Sequence, residues 1–339
     1  MLKRLFRIAA WILAGLAVLI AAAWLAFVPS AKEPGYDVVA TWGTKGQATG
    51  QFHDPTGIAI TGNQVFVSDA RNGRIQVFDT HGKFLRSFGK PGAARGELGR
   101  PMNLTIKAGE LYVPEYFNDR IQVFTLDGTP RRIIGARGTG PGQFNAPGGV
   151  AVAADGAIYV ADFNNHRIQK LARDGTFLMQ WGKPHSAGRG SGSFGISTSG
   201  ATDPAFVSFS YPTDVALSAK GVLYVADGYN DRVQVFKPDG RLSHKWGGPF
   251  AINIHGPFNG WFATVTSLAI GPRGNIFAAD FYNHRIQKFA PDGTYLTTLG
   301  RKGSAEGEFL YPVAVAVADD GSVFVADYGN NRISKWRPK

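Results

Sequence analysis

Short hydrophobic runs separated by turn residues recur along most of this chain. Between Pro147 and Trp181, four such runs alternate with turns at Asp155-Gly156, at Asn164-Asn165 and at Asp174-Gly175. The runs are rich in β-branched and aromatic residues, and none has the 3.6-residue period of a helix. The stretch therefore predicts four short antiparallel β-strands.

The same four-strand unit occurs six times, and each copy carries an acid, an Asn three residues later and an Arg two residues after that. The acid and Arg positions are Asp69 and Arg74, Glu115 and Arg120, Asp162 and Arg167, Asp227 and Arg232, Asp280 and Arg285, and Asp327 and Arg332. Successive acids are 46, 47, 65, 53 and 47 residues apart, a period typical of propellers and solenoids. Small residues on each first strand and bulky ones on each last strand suit a wedge-shaped blade. The pattern predicts an all-β, six-bladed β-propeller.

The sixth unit lacks a fourth strand, because the chain ends at Lys339 shortly after Trp336. The segment Tyr36 to Gly43 has the outer-strand pattern and precedes the first complete unit. We expect this segment to complete the sixth blade and close the ring, since an unpaired strand edge promotes aggregation. The predicted propeller then occupies residues 36–339.

The repeated sequence Gly-x-Phe-x-x-Pro, followed by Val-Tyr-Val-Ala-Asp-x-x-Asn-x-Arg-Ile-Gln, resembles the NHL repeat of six-bladed propellers. The resemblance covers about nine tenths of the chain and implies the same fold. It also implies relatives of several kinds: peptide-amidating lyases, sensor domains of bacterial receptor kinases, and protein- or RNA-binding modules. Function has to be argued from a site rather than from the fold.

The N-terminus predicts a membrane anchor of the bacterial type. Three basic residues precede Ile8–Val28, an uncharged apolar run that is long enough to span a bilayer as a helix. Positive charge before a span keeps that end in the cytoplasm. We expect residues 1–7 to be cytoplasmic, 8–28 to be a transmembrane signal anchor, 29–35 to be a linker, and the propeller to be periplasmic. A cleaved secretory signal is the alternative, but its apolar core is usually shorter.

The charge balance favours an anionic partner. The chain has 36 basic and 25 acidic residues, a net charge of +11, which suits an acidic protein, a phospholipid or an envelope polysaccharide. The predicted compartment argues against nucleic acid, and general solubility is the alternative explanation of the charge. The chain has no cysteine, which excludes disulfides and thiol catalysis.

The top face is defined here as the side that carries the loops between second and third strands and the connections between blades. Two insertions interrupt the repeat in these connections, Lys183–Ser208 and 248–261, and insertions are where binding residues tend to lie. Aromatic residues also follow each acid from the second blade onward. The predicted binding residues are Phe250, His255, Phe258, Trp261, Tyr116, Phe163, Tyr229, Tyr282 and Tyr328. The alternative is that the rings pack between blades.

The repeated acid and Arg pairs are predicted to be structural staples, because a catalytic site needs asymmetry whereas a staple occurs in every blade. Arg offers a planar fork of donors that suits a carboxylate. The second blade has Pro114-Glu115 where the others have a small residue and Asp, which leaves a different staple geometry open there.

The axis is the usual active site of propeller enzymes, so the residues before each inner strand are the candidate ligands. These residues are Gly57, Asn103, Gly149, Asp214, Ser267 and Ala314. Asn103 and Asp214 could be two ligands of an axial calcium ion, which needs six to eight oxygens. No histidine occupies these positions, so zinc is not favoured and no other cofactor is expected.

The sequence thus favours a binding or scaffold propeller that docks a protein or an anionic envelope ligand on its top face. A metal-dependent lyase or lactone hydrolase with an axial site is one alternative. A ligand-sensing subunit of a membrane complex is another. Because the closing strand begins on the opposite face, the linker is expected to reach the ring on the side away from the insertions.

Overall fold

The computed structural model describes residues 2–182 and 207–339, with the backbone alone described for residues 2, 3, 5 and 7–10. The predicted insertion Lys183–Ser208 lies outside the described residues, except for Val207 and Ser208. One helix and 24 strands follow one another along the described chain. They are α1 (Leu2–Phe27), β1 (Tyr36–Trp42), β2 (Pro55–Thr61), β3 (Gln64–Asp69), β4 (Arg74–Asp79), β5 (Phe84–Phe88), β6 (Thr105–Lys107), β7 (Glu110–Glu115), β8 (Arg120–Thr125), β9 (Pro130–Ile134), β10 (Pro147–Val152), β11 (Ile158–Asp162), β12 (Arg167–Leu171), β13 (Phe177–Trp181), β14 (Pro212–Leu217), β15 (Leu223–Asp227), β16 (Arg232–Phe236), β17 (Leu242–Trp246), β18 (Val265–Ile270), β19 (Ile276–Asp280), β20 (Arg285–Phe289), β21 (Tyr295–Leu299), β22 (Pro312–Val317), β23 (Val323–Asp327) and β24 (Arg332–Pro338).

The strands form six four-stranded antiparallel sheets, so the predicted six-bladed β-propeller is confirmed. Blades 1 to 5 take four consecutive strands each, beginning with β2, β6, β10, β14 and β18. Blade 6 has the order β1-β24-β23-β22. Strand β1 pairs with β24 from Tyr36 opposite Pro338 to Trp42 opposite Ile333. The N-terminal strand therefore closes the ring as expected.

The hydrophobic core is divided among the junctions between blades. Six buried clusters join neighbouring sheets, one cluster at each junction. Small residues on the inner strands, such as Ala151 and Ala216, let the blades converge on the axis. Burial between sheets, rather than within one sheet, holds the ring together.

Bulky residues at the end of an outer strand rest on a turn of the next blade. Trp181 in blade 3 donates from Nε1 to the carbonyl of Gly240, at 2.7 Å. In blade 5, Gly293 has φ of +87°, and a Cβ there would lie 2.8 Å from the Trp246 ring. Glycine is required at that turn both by backbone conformation and by the ring.

Helix α1 and the linker lie against blade 5. The backbone N–H groups of Lys32 and Glu33 donate to the carbonyl of Leu296, at 2.8 and 3.2 Å. Lys288 forms an ion pair with Glu33. No helix in the described part of the chain combines the length and the apolarity that crossing a bilayer needs.

The end of α1 adjoins the insertion between blades 4 and 5. Asn259 donates to the carbonyl of Pro29 at 3.1 Å, and the Trp24 and Phe258 rings meet edge to face with centroids 5.2 Å apart. The expectation that the linker and the insertion at 248–261 lie on opposite sides of the ring is therefore wrong. The linker pairs with the outer edge of blade 5 and so runs back past the insertion.

We expect Gly293→Ala to destabilise the protein more than Gly321→Ala does. Both glycines have positive φ, +87° and +81°, but a Cβ at Gly321 would meet nothing within 4 Å. The shared backbone term is roughly 1–2 kcal/mol, and the clash with Trp246 adds roughly 1–3 kcal/mol. Urea unfolding of the full-length chain in mild detergent measures the difference. Equal losses for the two variants would contradict the ring contact.

Candidate binding site at the propeller axis

A buried network of the acid, Asn and Arg side chains orders the top loop of every blade. Each Arg Nε lies 2.7 or 2.8 Å from a carboxylate oxygen of its acid, and all six acids are fully buried. In blade 3, Asp162 also accepts from the Asn145 backbone, from Asn165 and from Gln169. The carboxylates thus have their hydrogen-bonding capacity used within the fold.

The longer acid of blade 2 keeps the same pairing distance. Arg120 Nε lies 2.7 Å from Glu115 Oε1. The extra methylene is accommodated at Gly99, whose N–H donates to Glu115 at 2.8 Å. A Cβ at Gly99 would lie 2.5 Å from Asn118 Cγ, so glycine provides the room for the larger loop.

Aromatic residues of these loops surround a cavity of about 280 Å³ at the axis. The five loop residues predicted from the sequence all line it, together with one further ring. The lining rings are Tyr116, Phe163, Tyr229, Phe281, Tyr282 and Tyr328. They come from blades 2 to 6, and neighbouring rings touch, as Phe163 and Tyr229 do with centroids 6.2 Å apart.

Short turns aim the aromatic residues at the axis. In blades 3 and 4 a single 3₁₀ turn follows the acid, at Phe163–Asn165 and Gly228–Asn230. The staple holds the Asn at the end of each turn, and an earlier residue of the turn, Phe163 in blade 3 and Tyr229 in blade 4, lines the cavity. Tyr229 and Tyr282 keep about half of their surface exposed, so these rings are available to a ligand.

One cation lies at the edge of this cavity. The Arg100 guanidinium carbon lies 5.6 Å from the ring centroids of both Tyr116 and Phe117. Its Nε is buried and has no hydrogen-bond partner among the described residues. No pattern within one repeat marks this residue, because its position beside the axis depends on the packing of two blades.

The floor of the cavity is a hydrogen-bonded group that crosses the axis. Asn103 Nδ2 donates to Asp214 Oδ2 at 2.7 Å and to Ser267 Oγ at 3.1 Å. The Leu268 N–H also donates to Asp214, at 2.9 Å. No cation is among the partners that hold Asp214, and burial raises the pKa of its carboxyl to about 7.

Two glycines make room for this floor. A Cβ at Gly149 would lie 1.9 Å from Asp214 Oδ1, and one at Gly57 would lie 2.2 Å from the Met102 carbonyl. The residues facing the axis are therefore small where Asn103 and Asp214 reach across it.

The floor does not suit the axial calcium ion considered from the sequence. Asn103 presents its amide nitrogen, a donor, to the one carboxylate present, whereas calcium needs oxygens. Within the described residues no group of three or more His, Cys, Asp or Glu side chains could hold a metal. Asn103 and Asp214 do come together, but as partners of each other.

The predicted binding residues of the insertion lie elsewhere. Phe258 contacts Trp24, Phe250 contacts Phe27 with ring centroids 5.1 Å apart, and Trp261 donates to the Phe27 carbonyl. His255 is exposed, with Nδ1 4.0 Å from Asp231 Oδ2. These four residues do not line the axial cavity, because the insertion turns outward toward α1.

The NHL repeat model matches five segments of the chain, at residues 52–78, 144–171, 209–236, 262–289 and 309–336. This protein belongs to the NHL-repeat propellers. The unmatched unit is blade 2, which carries Pro114-Glu115. The NHL-repeat fold accounts for the staples but not for a ligand.

Curated relatives of this NHL-repeat chain include the peptidyl-glycine alpha-amidating monooxygenase of Mus musculus, 32% identical over 152 residues. That match covers 43% of this chain and 14% of the mouse protein. Among solved structures, a protein of unknown function from Bacteroides thetaiotaomicron superposes with a TM-score of 0.64 at 17% identity, covering 91% of this chain and 77% of that one. A virginiamycin B lyase from Staphylococcus aureus gives 0.56 at 18%, covering 85% and 83%. These two structures share the fold.

We expect Asp214→Asn to become progressively more stable than the parent as the pH rises from about 4 to 7. In that window the unfolded chain releases the Asp214 proton while the folded chain keeps it, so the parent loses stability with rising pH. The free energy of unfolding of Asp214→Asn, relative to that of the parent, then rises by up to about 1 kcal/mol per pH unit. Urea unfolding at several pH values measures it, with the exposed Asp319→Asn as control. A difference that does not change with pH would contradict the raised pKa.

Proposed function

We propose that this protein is a binding propeller that captures a protein or another anionic partner on its top face. The axial cavity is the centre of that contact. One observation carries the proposal: six aromatic rings from five blades wall a single cavity of about 280 Å³. A ring of this kind offers a large contact area with little loss of side-chain freedom.

The lining indicates the chemistry of the ligand. The aromatic walls suit a flat or apolar group, and Arg100 beside Tyr116 suits a carboxylate or phosphate. The net charge of +11 favours the approach of an anion. The proposed ligand therefore combines a flat or apolar body with an anionic group, as a side chain of a docking protein does.

We also propose that Ile8–Val28 anchors the protein in the cytoplasmic membrane, with the propeller in the periplasm. The support comes from the sequence alone, namely the uncharged run and the basic residues before it, because the described part of α1 does not itself meet the length and apolarity of a span. Within α1, large apolar side chains such as Trp11 and Leu25 are about four fifths exposed, and such surface calls for a cover.

A lyase or lactone-hydrolase function is the second candidate. The amidating relatives favour it, as does a buried carboxyl, Asp214, with a pKa near 7 below the cavity. The two candidates differ in the fate of the ligand, because a binding propeller releases it unchanged. A ligand-sensing subunit of a membrane complex would use the same cavity with a smaller ligand.

We expect 2-naphthoate to bind the full-length protein more tightly than neutral 2-naphthamide, because Arg100 recognises the carboxylate. Arg100→Gln should remove this preference, and Tyr229→Ala should weaken both probes about tenfold, the effect of roughly 1.4 kcal/mol. Leu178→Ala is the matched control, since Leu178 and Tyr229 have the same exposed fraction, 51%. Isothermal titration gives the affinities. Equal affinities for the parent and Tyr229→Ala would exclude the axial cavity as the site.

We expect the full-length protein to stay in the membrane fraction during alkaline carbonate extraction. A chain that lacks residues 1–28 should be released, because the propeller then has no apolar span. Immunoblotting of the two fractions measures the distribution. Release of the full-length protein would contradict the anchor.

A further inference from the structure

A side-chain clasp joins neighbouring blades at five of the six junctions. The residue between Asn and Arg of each repeat has positive φ and accepts a hydrogen bond from a backbone N–H at the start of the next blade. The bonds run from Ala146 to Asp119, from Tyr211 to His166, from Thr264 to Asp231, from Tyr311 to His284 and from Asp54 to Asn331, at 2.6–3.2 Å. Two of these acceptors are carboxylates.

Blade 1 has Gly73 at the clasp position and so offers no side-chain acceptor to blade 2. The corresponding donor is the Arg100 N–H, whose φ of +58° is within the range of the other donors. Among the described residues this N–H has no acceptor. Glycine is required at position 73 because a Cβ there would lie 2.8 Å from Pro91 Cα. The residues that correspond to Pro91 in other connections are Lys45, Arg137 and Lys302.

The junction without a clasp opens as a groove of about 780 Å³ on the top face. Gly73, Arg71, His53 and Arg100 line it, and Arg100 also borders the axial cavity. The charged side chains that line the groove are the guanidinium groups of Arg71 and Arg100, and Arg71 also pairs with Asp54. Among the described residues, the Arg100 N–H has no acceptor and the Arg100 side chain has no carboxylate partner. The groove thus brings two available donor groups together.

We propose that this groove binds a carboxylate of an acidic peptide segment of a partner protein. The carboxylate accepts from the Arg100 N–H, as Asp119 and Asp231 accept from the next blade at the closed junctions. The guanidinium of Arg100 supplies the second, charge-assisted contact. Arg71 also lines the groove, whose volume is about 780 Å³, so a further acidic side chain of the same segment pairs with Arg71. This site shares Arg100 with the aromatic cavity, but Arg71 and Gly73 line the groove alone.

The probe is the peptide acetyl-Glu-Asp-Glu-Asp-amide, compared with acetyl-Gln-Asn-Gln-Asn-amide, on the full-length protein in mild detergent. We expect the acidic peptide to bind at least about tenfold more tightly and to shift the Arg100 backbone amide resonance of ¹⁵N-arginine-labelled protein. Arg71→Gln and Arg100→Gln should each weaken binding about tenfold. Arg137→Gln should leave it unchanged. Arg137 is the matched control, since it also pairs with an aspartate, Asp119, but lies at a closed junction.

Tyr229→Ala should keep peptide binding, which separates this groove from the axial cavity. Equal losses for Arg71→Gln and Arg137→Gln would show a diffuse charge effect and overturn the proposal. So would an Arg100 amide that does not respond, or inorganic phosphate that binds as tightly as the peptide.

Discussion

The buried pairing of a carboxylate with arginine at the top of each blade is the constraint on which the rest of the structure depends. A buried charge costs several kcal/mol unless a partner of good geometry offsets it. Asp162 meets this demand with Arg167, Asn165 and Gln169. Because these partners come from the loop itself and from the next strand, the pair holds the loop in one conformation. The aromatic residue of the loop, Phe163, then lines the axial cavity, where a ligand can reach it.

Because that pairing is repeated, the six blades have nearly the same structure. The features that distinguish this propeller lie where one blade departs from the others. At the axis, Asn103 and Asp214 occupy space that Gly57 and Gly149 leave open, and the result is a polar floor instead of an open channel. Around the top, Gly73 replaces the side chain that joins the other blades. Both departures involve small residues, because a missing side chain changes the space between blades without disturbing their strands.

Features that depend on residues close together in the sequence could be predicted from it, and features that depend on distant residues could not. Strand positions, the closing role of β1 and the aromatic loop residues follow from patterns within one repeat, and the structure has the predicted six blades. The binding role of those aromatic residues remains a prediction. Phe258 and Trp261 are predicted binding residues, and in the structure they contact α1. Nothing in the sequence of the insertion indicates that the linker pairs with β21, since that contact joins Lys32 to Leu296, more than 200 positions apart.

By itself the sequence determined the six blades, their closure and the staples, because hydrophobic period, turn chemistry and a repeated triplet act over short distances along the chain. Only the tertiary structure decided what lies together at the top of the ring. It brought Arg100 beside Tyr116 and Phe117 and left its N–H without an acceptor among the described residues. It also joined Asn103 to Asp214, 111 residues apart. Such neighbours are set by the angle at which blades meet, and that angle depends on the packing of all six junction cores.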